Sequence, residues 1–185
     1  MRIVLLLTLL ITCLNNCWSQ NLRSITKEDS IKIKTKIKDS LTSLKNTLER
    51  KYENSFLEKN QLIEFTLDTT KIELKTLWRL EIDYSTASMV DSAIYSNKKY
   101  DELLNKYYKI LLNRLDEEDK KILRQSQRKW IEFRDDEIKL IVRLSKEKYS
   151  GGGSIQRVIV AGNISELTKK RVIDLYQYSL GVSEY

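Results

Sequence analysis

No proline interrupts the 185 residues, and three of the five glycines stand side by side at Gly151-Gly152-Gly153. A chain without proline and with almost no scattered glycine lacks the turn residues that an all-β fold of many short strands requires. It can instead run in long helices, broken where other signals break it. The composition is 41% hydrophobic and 32% charged, enough apolar residue for a packed domain with a large charged surface. The length suits one domain with an appendage. There is no histidine, so the usual general base and the commonest neutral metal ligand are missing.

Residues 1–19 read as a secretory signal. Arg2 gives the positive start, Ile3 to Leu14 is an apolar run too short for a comfortable membrane span, and Cys17-Trp18-Ser19 offers a cleavage site before Gln20. Both cysteines, Cys13 and Cys17, fall inside it. Leu10-Ile11-Thr12-Cys13 and Leu14-Asn15-Asn16-Cys17 fit a lipid-attachment pattern poorly, so simple export to the periplasm or the exterior is favoured over a lipid-anchored form. No transmembrane span is expected once the signal is removed. The mature chain would then have no disulfide, no thiol chemistry and no cysteine metal site. Losing Arg2 takes the formal net charge from +7 to +6. Charges alternate in sign along the chain, which describes a solvated surface with a basic bias.

Apolar periodicity predicts the helices. Ile37, Leu41, Leu44, Leu48 and Tyr52 follow a spacing of three and four, giving a first helix over 27–58 that opens on a Thr26–Asp29 capping box. Such a helix either joins the bundle or projects as a coiled-coil arm. Residues 62–83 are ambiguous: Ile63, Phe65 and Leu67 alternate like a strand, and Thr70–Glu73 resembles another capping box, so a short helix over 69–82 is expected. A long helix over 86–114 carries Tyr100, Leu104, Tyr107 and Leu111 on one face. Asp116 caps the next, over 117–148, and the short connection makes the two antiparallel neighbours. Gly151–Gly153 then break the chain. Ser154 caps a short helix at 155–161, Gly162-Asn163 breaks it again, and a final helix covers 164–179. The expected fold is an all-α small helical bundle built on a long antiparallel helix hairpin, preceded by a long N-terminal helix. The chain divides into the signal, an extension over 20–83 and a domain over 84–180.

Polar residues on the hairpin's apolar stripes are the informative ones. Asp101, Asn105 and Tyr108 share one face. In the expected register Asn105 lies level with Ser126 and Gln127, Asp101 level with Trp130, and Arg134 one turn farther. A half-buried arginine demands a partner. Asp101 is the candidate, and Asp135 and Asp136 are the local competitors.

These residues carry a resemblance. Tyr100-Asp101-Glu102-Leu103-Leu104-Asn105-Lys106-Tyr107-Tyr108, followed by Ser126-Gln127-Arg128-Lys129-Trp130-Ile131-Glu132-Phe133-Arg134-Asp135, is similar to the LprI-type lysozyme inhibitor family. The pattern continues with Gly152-Gly153-Ser154 and with Leu167-Thr168-Lys169-Lys170-Arg171, so the resemblance covers about residues 84–180. It implies a small helical domain exported to the bacterial envelope, with no cofactor and no metal, acting on lysozyme or another envelope protein. It also makes Asp101, Leu104, Asn105, Tyr108, Gln127, Arg128, Trp130, Phe133, Arg134, Asp135, Leu167, Thr168 and Arg171 motif residues, read as structural.

For binding, the sequence offers one projecting basic element: Lys148, Gly151, Gly152, Gly153, Ser154 and Arg157. An inhibitor must cover a cleft lined by carboxylates, and a loop cation could do that. A protein of net +6 gains no long-range attraction to a basic lysozyme. The alternative is a non-inhibitory helical adaptor, or a module that binds anionic cell-wall polymer. An enzyme is disfavoured, since no nucleophile motif or phosphate loop is present. Nucleic-acid binding is disfavoured because basic and acidic residues are interleaved.

Overall fold

The computed structural model describes residues 25–53 and 59–182. The predicted signal, both cysteines and residues 54–58 of the expected 27–58 helix lie outside them; within them that helix stops earlier than expected, at Lys51, with Tyr52 as its C-cap. All regular structure among the described residues is helical: α1 (Lys27–Lys51), α2 (Lys59–Ile82), α3 (Thr86–Arg114), α4 (Glu117–Leu144), α5 (Glu147–Ser150) and α6 (Ile155–Leu180). None of these helices is long and apolar enough to cross a membrane.

Local chemistry explains the starts. At α1 the Thr26 hydroxyl accepts the Asp29 amide at 3.1 Å while the Asp29 carboxylate accepts the Thr26 amide at 3.0 Å, a reciprocal box. At α4 the Asp116 carboxylate accepts the amides of Glu118 and Asp119. At α3 the cap is Ser85, whose hydroxyl accepts the Ser88 amide.

Three further expected boundaries are corrected. Residues 62–68 are helical, and Thr70 lies inside α2 rather than at its start. The alternation there reflects two buried faces. Phe65 stacks on Tyr176 of α6 at 3.8 Å, while Leu67 faces the groove against α1. The threonines remain helical because their hydroxyls donate to carbonyls one turn back, Thr66 to Leu62 and Thr76 to Ile72. Second, α4 ends at Leu144 and α5 forms a separate turn. Third, α6 runs unbroken through Gly162-Asn163. A single exposed glycine costs a helix only about 1 kcal/mol, and the packing of α6 on α3 outweighs it. Ser154 is helical in backbone and makes no side-chain cap.

The principal pairing is α3 with α6. The Ser165 hydroxyl donates to Ser96 at 3.0 Å, Thr168 donates to Asn97 at 2.7 Å, and the Arg114 guanidinium donates to the Ser179 carbonyl. Residue numbers rise together along both helices, so the two are parallel. Buried Ser88 and Ser92 on α3 and Ser165 and Ser179 on α6 are small enough to let the backbones approach closely. Around this seam Ile72, Tyr100, Leu104, Tyr107, Leu111, Leu123, Val172, Leu175 and Tyr176 form one core, which Phe65 and Leu62 of α2 join.

The expected hairpin is therefore rearranged. α4 turns back from α3 but packs on α6, and has no extended contact with α3. It serves as the return leg that lets α3 and α6 run in the same direction. α2 lies antiparallel to α3, clasped by Glu73. That carboxylate accepts the Tyr100 hydroxyl at 2.5 Å and the Lys169 ammonium at 2.7 Å. Burial alone would raise its pKa, but these two donors outweigh burial and hold it below the usual glutamate value. Tyr100 is pushed well above the usual tyrosine value, by burial first and then by Glu73. Lys106 of α3 adds ion pairs to Glu64 at 2.6 Å and Asp68 at 2.5 Å on α2. α1 packs on the outer side of α2.

Candidate functional site

The motif residues separate into two groups. One converges on Arg171. This residue is 7% exposed, and its guanidinium donates to Gln127 Oε1 at 3.1 Å and Ser126 Oγ at 3.4 Å, with its centre 5.8 Å from the Trp130 ring. Among the described residues no carboxylate pairs with it; an amide oxygen, a hydroxyl and an aromatic face replace the acid that a buried cation ordinarily requires. Leu104 and Thr168 are buried beside the seam, and Tyr108, Trp130 and Leu167 are half-buried. This cluster ties α4 to α6.

The other group faces water. Arg134 pairs with its neighbour Asp135, Nη2 to Oδ1 at 2.8 Å, and stands 5.4 Å from the same Trp130 ring. The expected Arg134–Asp101 pair does not form, because α4 lies along α6 and not along α3. Asp101 is exposed, and Asn105 donates to the Asp101 backbone carbonyl within its own helix. Arg128 is also exposed. Phe133 is 54% exposed and contributes nothing to the core.

The glycine segment is a built elbow. Gly151, Gly152 and Gly153 have φ of 75°, 75° and 90°, three successive left-handed residues that side chains would strain. The Gly151 amide closes α5 on the Glu147 carbonyl at 3.0 Å. The elbow reverses the chain so that α6 returns antiparallel to α4. It also borders a cleft of about 760 Å³, whose lining includes Val90, Ile94 and Asn97 of α3, Gly152 and Gly153 of the elbow, and Gln156, Arg157 and Val160 of α6. Ile94 is 57% exposed at this cleft, and the first turns of α6 leave Ile155 and Ile159 about half exposed. Lys148 is exposed on α5 with its ammonium 5.2 Å from the Tyr149 ring, and Ser154 is exposed without a cap bond.

The structure thus brings Gly152, Gly153 and Arg157 together and adds Val90, Ile94 and Gln156, which sequence reasoning missed. The signal was present: Ile94 is a large apolar residue off the buried stripe of its helix. Mostly apolar walls that carry one cation, Arg157, and one carboxylate, Glu147, suit the docking of a protein surface more than the turnover of a small molecule.

Comparison with family models matches residues 81–175 to the family described as lysozyme inhibitor LprI. No curated protein and no solved structure matches. The matched segment takes in α3, α4, α5 and most of α6, with both the Arg171 cluster and the glycine elbow. It spans just over half of the sequence, and the chain belongs to the LprI lysozyme inhibitor family.

Proposed function

We propose that the chain is an exported, non-catalytic protein of the bacterial envelope that works by binding another protein through the cleft at the glycine elbow, with lysozyme as the partner to test first. The observation that carries this reading is the cleft itself. An isoleucine left open to water, an arginine and a left-handed glycine elbow share one rim. Burying Ile94 against a partner would gain about 1.5–3 kcal/mol. Arg157 can reach a carboxylate of an enzyme cleft, and charge-assisted contacts of that kind are strong once desolvated. Family membership supports lysozyme as the first choice.

The test is turnover of cell walls by lysozyme, with and without the purified Gln20–Tyr185 chain. Inhibition at micromolar protein that weakens at least tenfold in Ile94→Asp and Arg157→Ala is the expected result. Absence of any effect at micromolar excess removes lysozyme as the partner. The exposed apolar side chains of α4, Phe133, Leu140 and Leu144, favour a second reading as a helical adaptor for another envelope protein. Retention of such a partner by the wild-type chain, and its loss in Phe133→Asp, would select that reading.

A further inference from the structure

Charge is not spread evenly over this molecule. α2 presents Lys71, Lys75 and Arg79 at successive turns, and α1 presents Lys34 and Lys38 across from them. Together with Lys99 of α3 they line a groove of about 920 Å³ floored by Ile33, Ile37 and Leu67. Asp68 is the one carboxylate on its wall, and Lys106 already holds it at 2.5 Å. Lys99 is paired with Glu102. Lys34, Lys38, Lys71, Lys75 and Arg79 have no carboxylate in ion-pair range among the described residues.

Two details show that this is more than a solvated basic face. Arg79 Nε is shut off from solvent and donates to nothing among the described residues. A buried guanidinium nitrogen without an acceptor is costly. Lys75, whose ammonium sits 4.4 Å from the Tyr95 ring, has its pKa lowered by burial first and then by Arg79, Lys99 and Lys34. Its neighbours repel it, and an anion in the groove would relieve them all. The chain's own undescribed residues offer only Glu58 and Glu184 as side-chain acids. Two carboxylates cannot match five cations, which leaves room for an external anion.

We propose that the α1–α2–α3 groove is a binding site for an extended chain of phosphate groups. The row from Lys71 to Arg79 spans about 12 Å at 1.5 Å per residue, with a cation every ~6 Å. That calls for a ligand with several charges along its length. Cations approach from both walls, Lys34 and Lys38 on one side and Lys71 and Lys75 on the other. A tetrahedral phosphate within a chain offers oxygens to both walls at once, whereas a carboxylate presents two coplanar oxygens on one side. The site lies mainly outside the family-matched segment and is independent of the elbow cleft.

The test is isothermal titration of the purified chain with long-chain inorganic polyphosphate and with poly-glutamate of matched charge, at low and high salt. Expected are micromolar, salt-sensitive binding of polyphosphate, at least tenfold weaker binding of poly-glutamate, and at least a tenfold loss in the Lys75→Gln/Arg79→Gln double variant. A second pair, Lys38→Gln/Lys71→Gln, should lose binding as well, and circular dichroism shows that each variant is folded. The control Lys148→Gln/Arg157→Gln removes the same charge elsewhere and should bind as the wild type does. Equal binding of poly-glutamate, an equal loss in the control, or no binding at all would each overturn the proposal. None of these outcomes bears on lysozyme inhibition.

Discussion

The α3–α6 seam and the α1–α2 pair are both helix-on-helix contacts, yet they are made of opposite materials. In the seam, small hydroxyl residues meet at close range; Ser165 finds a partner at Ser96 and Thr168 at Asn97, while the buried hydroxyls of Ser88 and Ser92 make no hydrogen bond among the described residues. In the outer pair a thin apolar floor of Ile33 and Ile37 carries two rows of unmatched cations. The first arrangement is spent on holding the fold together. The second leaves electrostatic free energy unspent, which is what a surface awaiting an anion would do. The contrast shows that one chain can be optimised for cohesion in one layer and held away from it in the next.

Core truncation should expose the contrast most strongly. Leu175→Ala, at a side chain with no exposure, should cost about 2–5 kcal/mol in urea denaturation, whereas Leu41→Ala on α1 should cost about 1 kcal/mol. Equal losses would mean that α1 is as integral as the seam. Overfilling the seam comes next: Ser92→Leu should destabilise by about 1–3 kcal/mol, because Ser92 is 1% exposed and a longer side chain there would have to push its neighbours aside. Arg171→Met should cost about 1–3 kcal/mol by leaving Gln127 without its donor, while Arg134→Ala should stay within about 0.5 kcal/mol, its pair with Asp135 being exposed. A larger effect at Arg134 than at Arg171 would reverse the roles assigned to them.

The acid limb tests the clasp between the layers. Glu73 has a depressed pKa in the folded chain, so it contributes stability that is complete above the unfolded glutamate value and is lost as pH falls through the folded one. The wild type should therefore lose stability relative to Glu73→Gln as pH falls below the usual glutamate range, read as urea midpoints. The smallest effect has the opposite sign. Lys71→Gln should raise the melting temperature slightly, by relieving like-charge repulsion worth a few tenths of a kcal/mol.

What the sequence disclosed follows from how many faces each helix buries. α3 buries one stripe, Tyr100, Leu104, Tyr107 and Leu111, and its span is legible from periodicity to the residue. α2 buries two faces, so its apolar residues alternate and mimic a strand. Gly162 looked like a break because composition cannot show that a neighbouring helix supports it. The Arg134–Asp101 pairing failed for a topological reason. A short connection suggests that α3 and α4 are neighbours, but nothing local announces that residues near 96 meet residues near 165. The family motif pointed to Arg171, Gln127 and Trp130 without stating that they meet. The basic groove was hidden for the same reason, since its rows lie on different helices and look evenly mixed when read along the chain.

The parallel course of α3 and α6 has a kinetic consequence. Ser96 and Ser165 are 69 residues apart, and their meeting closes a loop that holds the whole intervening leg and its glycine elbow. Local helix formation is fast, but closing so distant a contact carries the loop entropy of everything between. Assembly of this bundle should be paced by that last zipping step, and a slower elbow should delay folding even where it leaves the finished molecule equally stable.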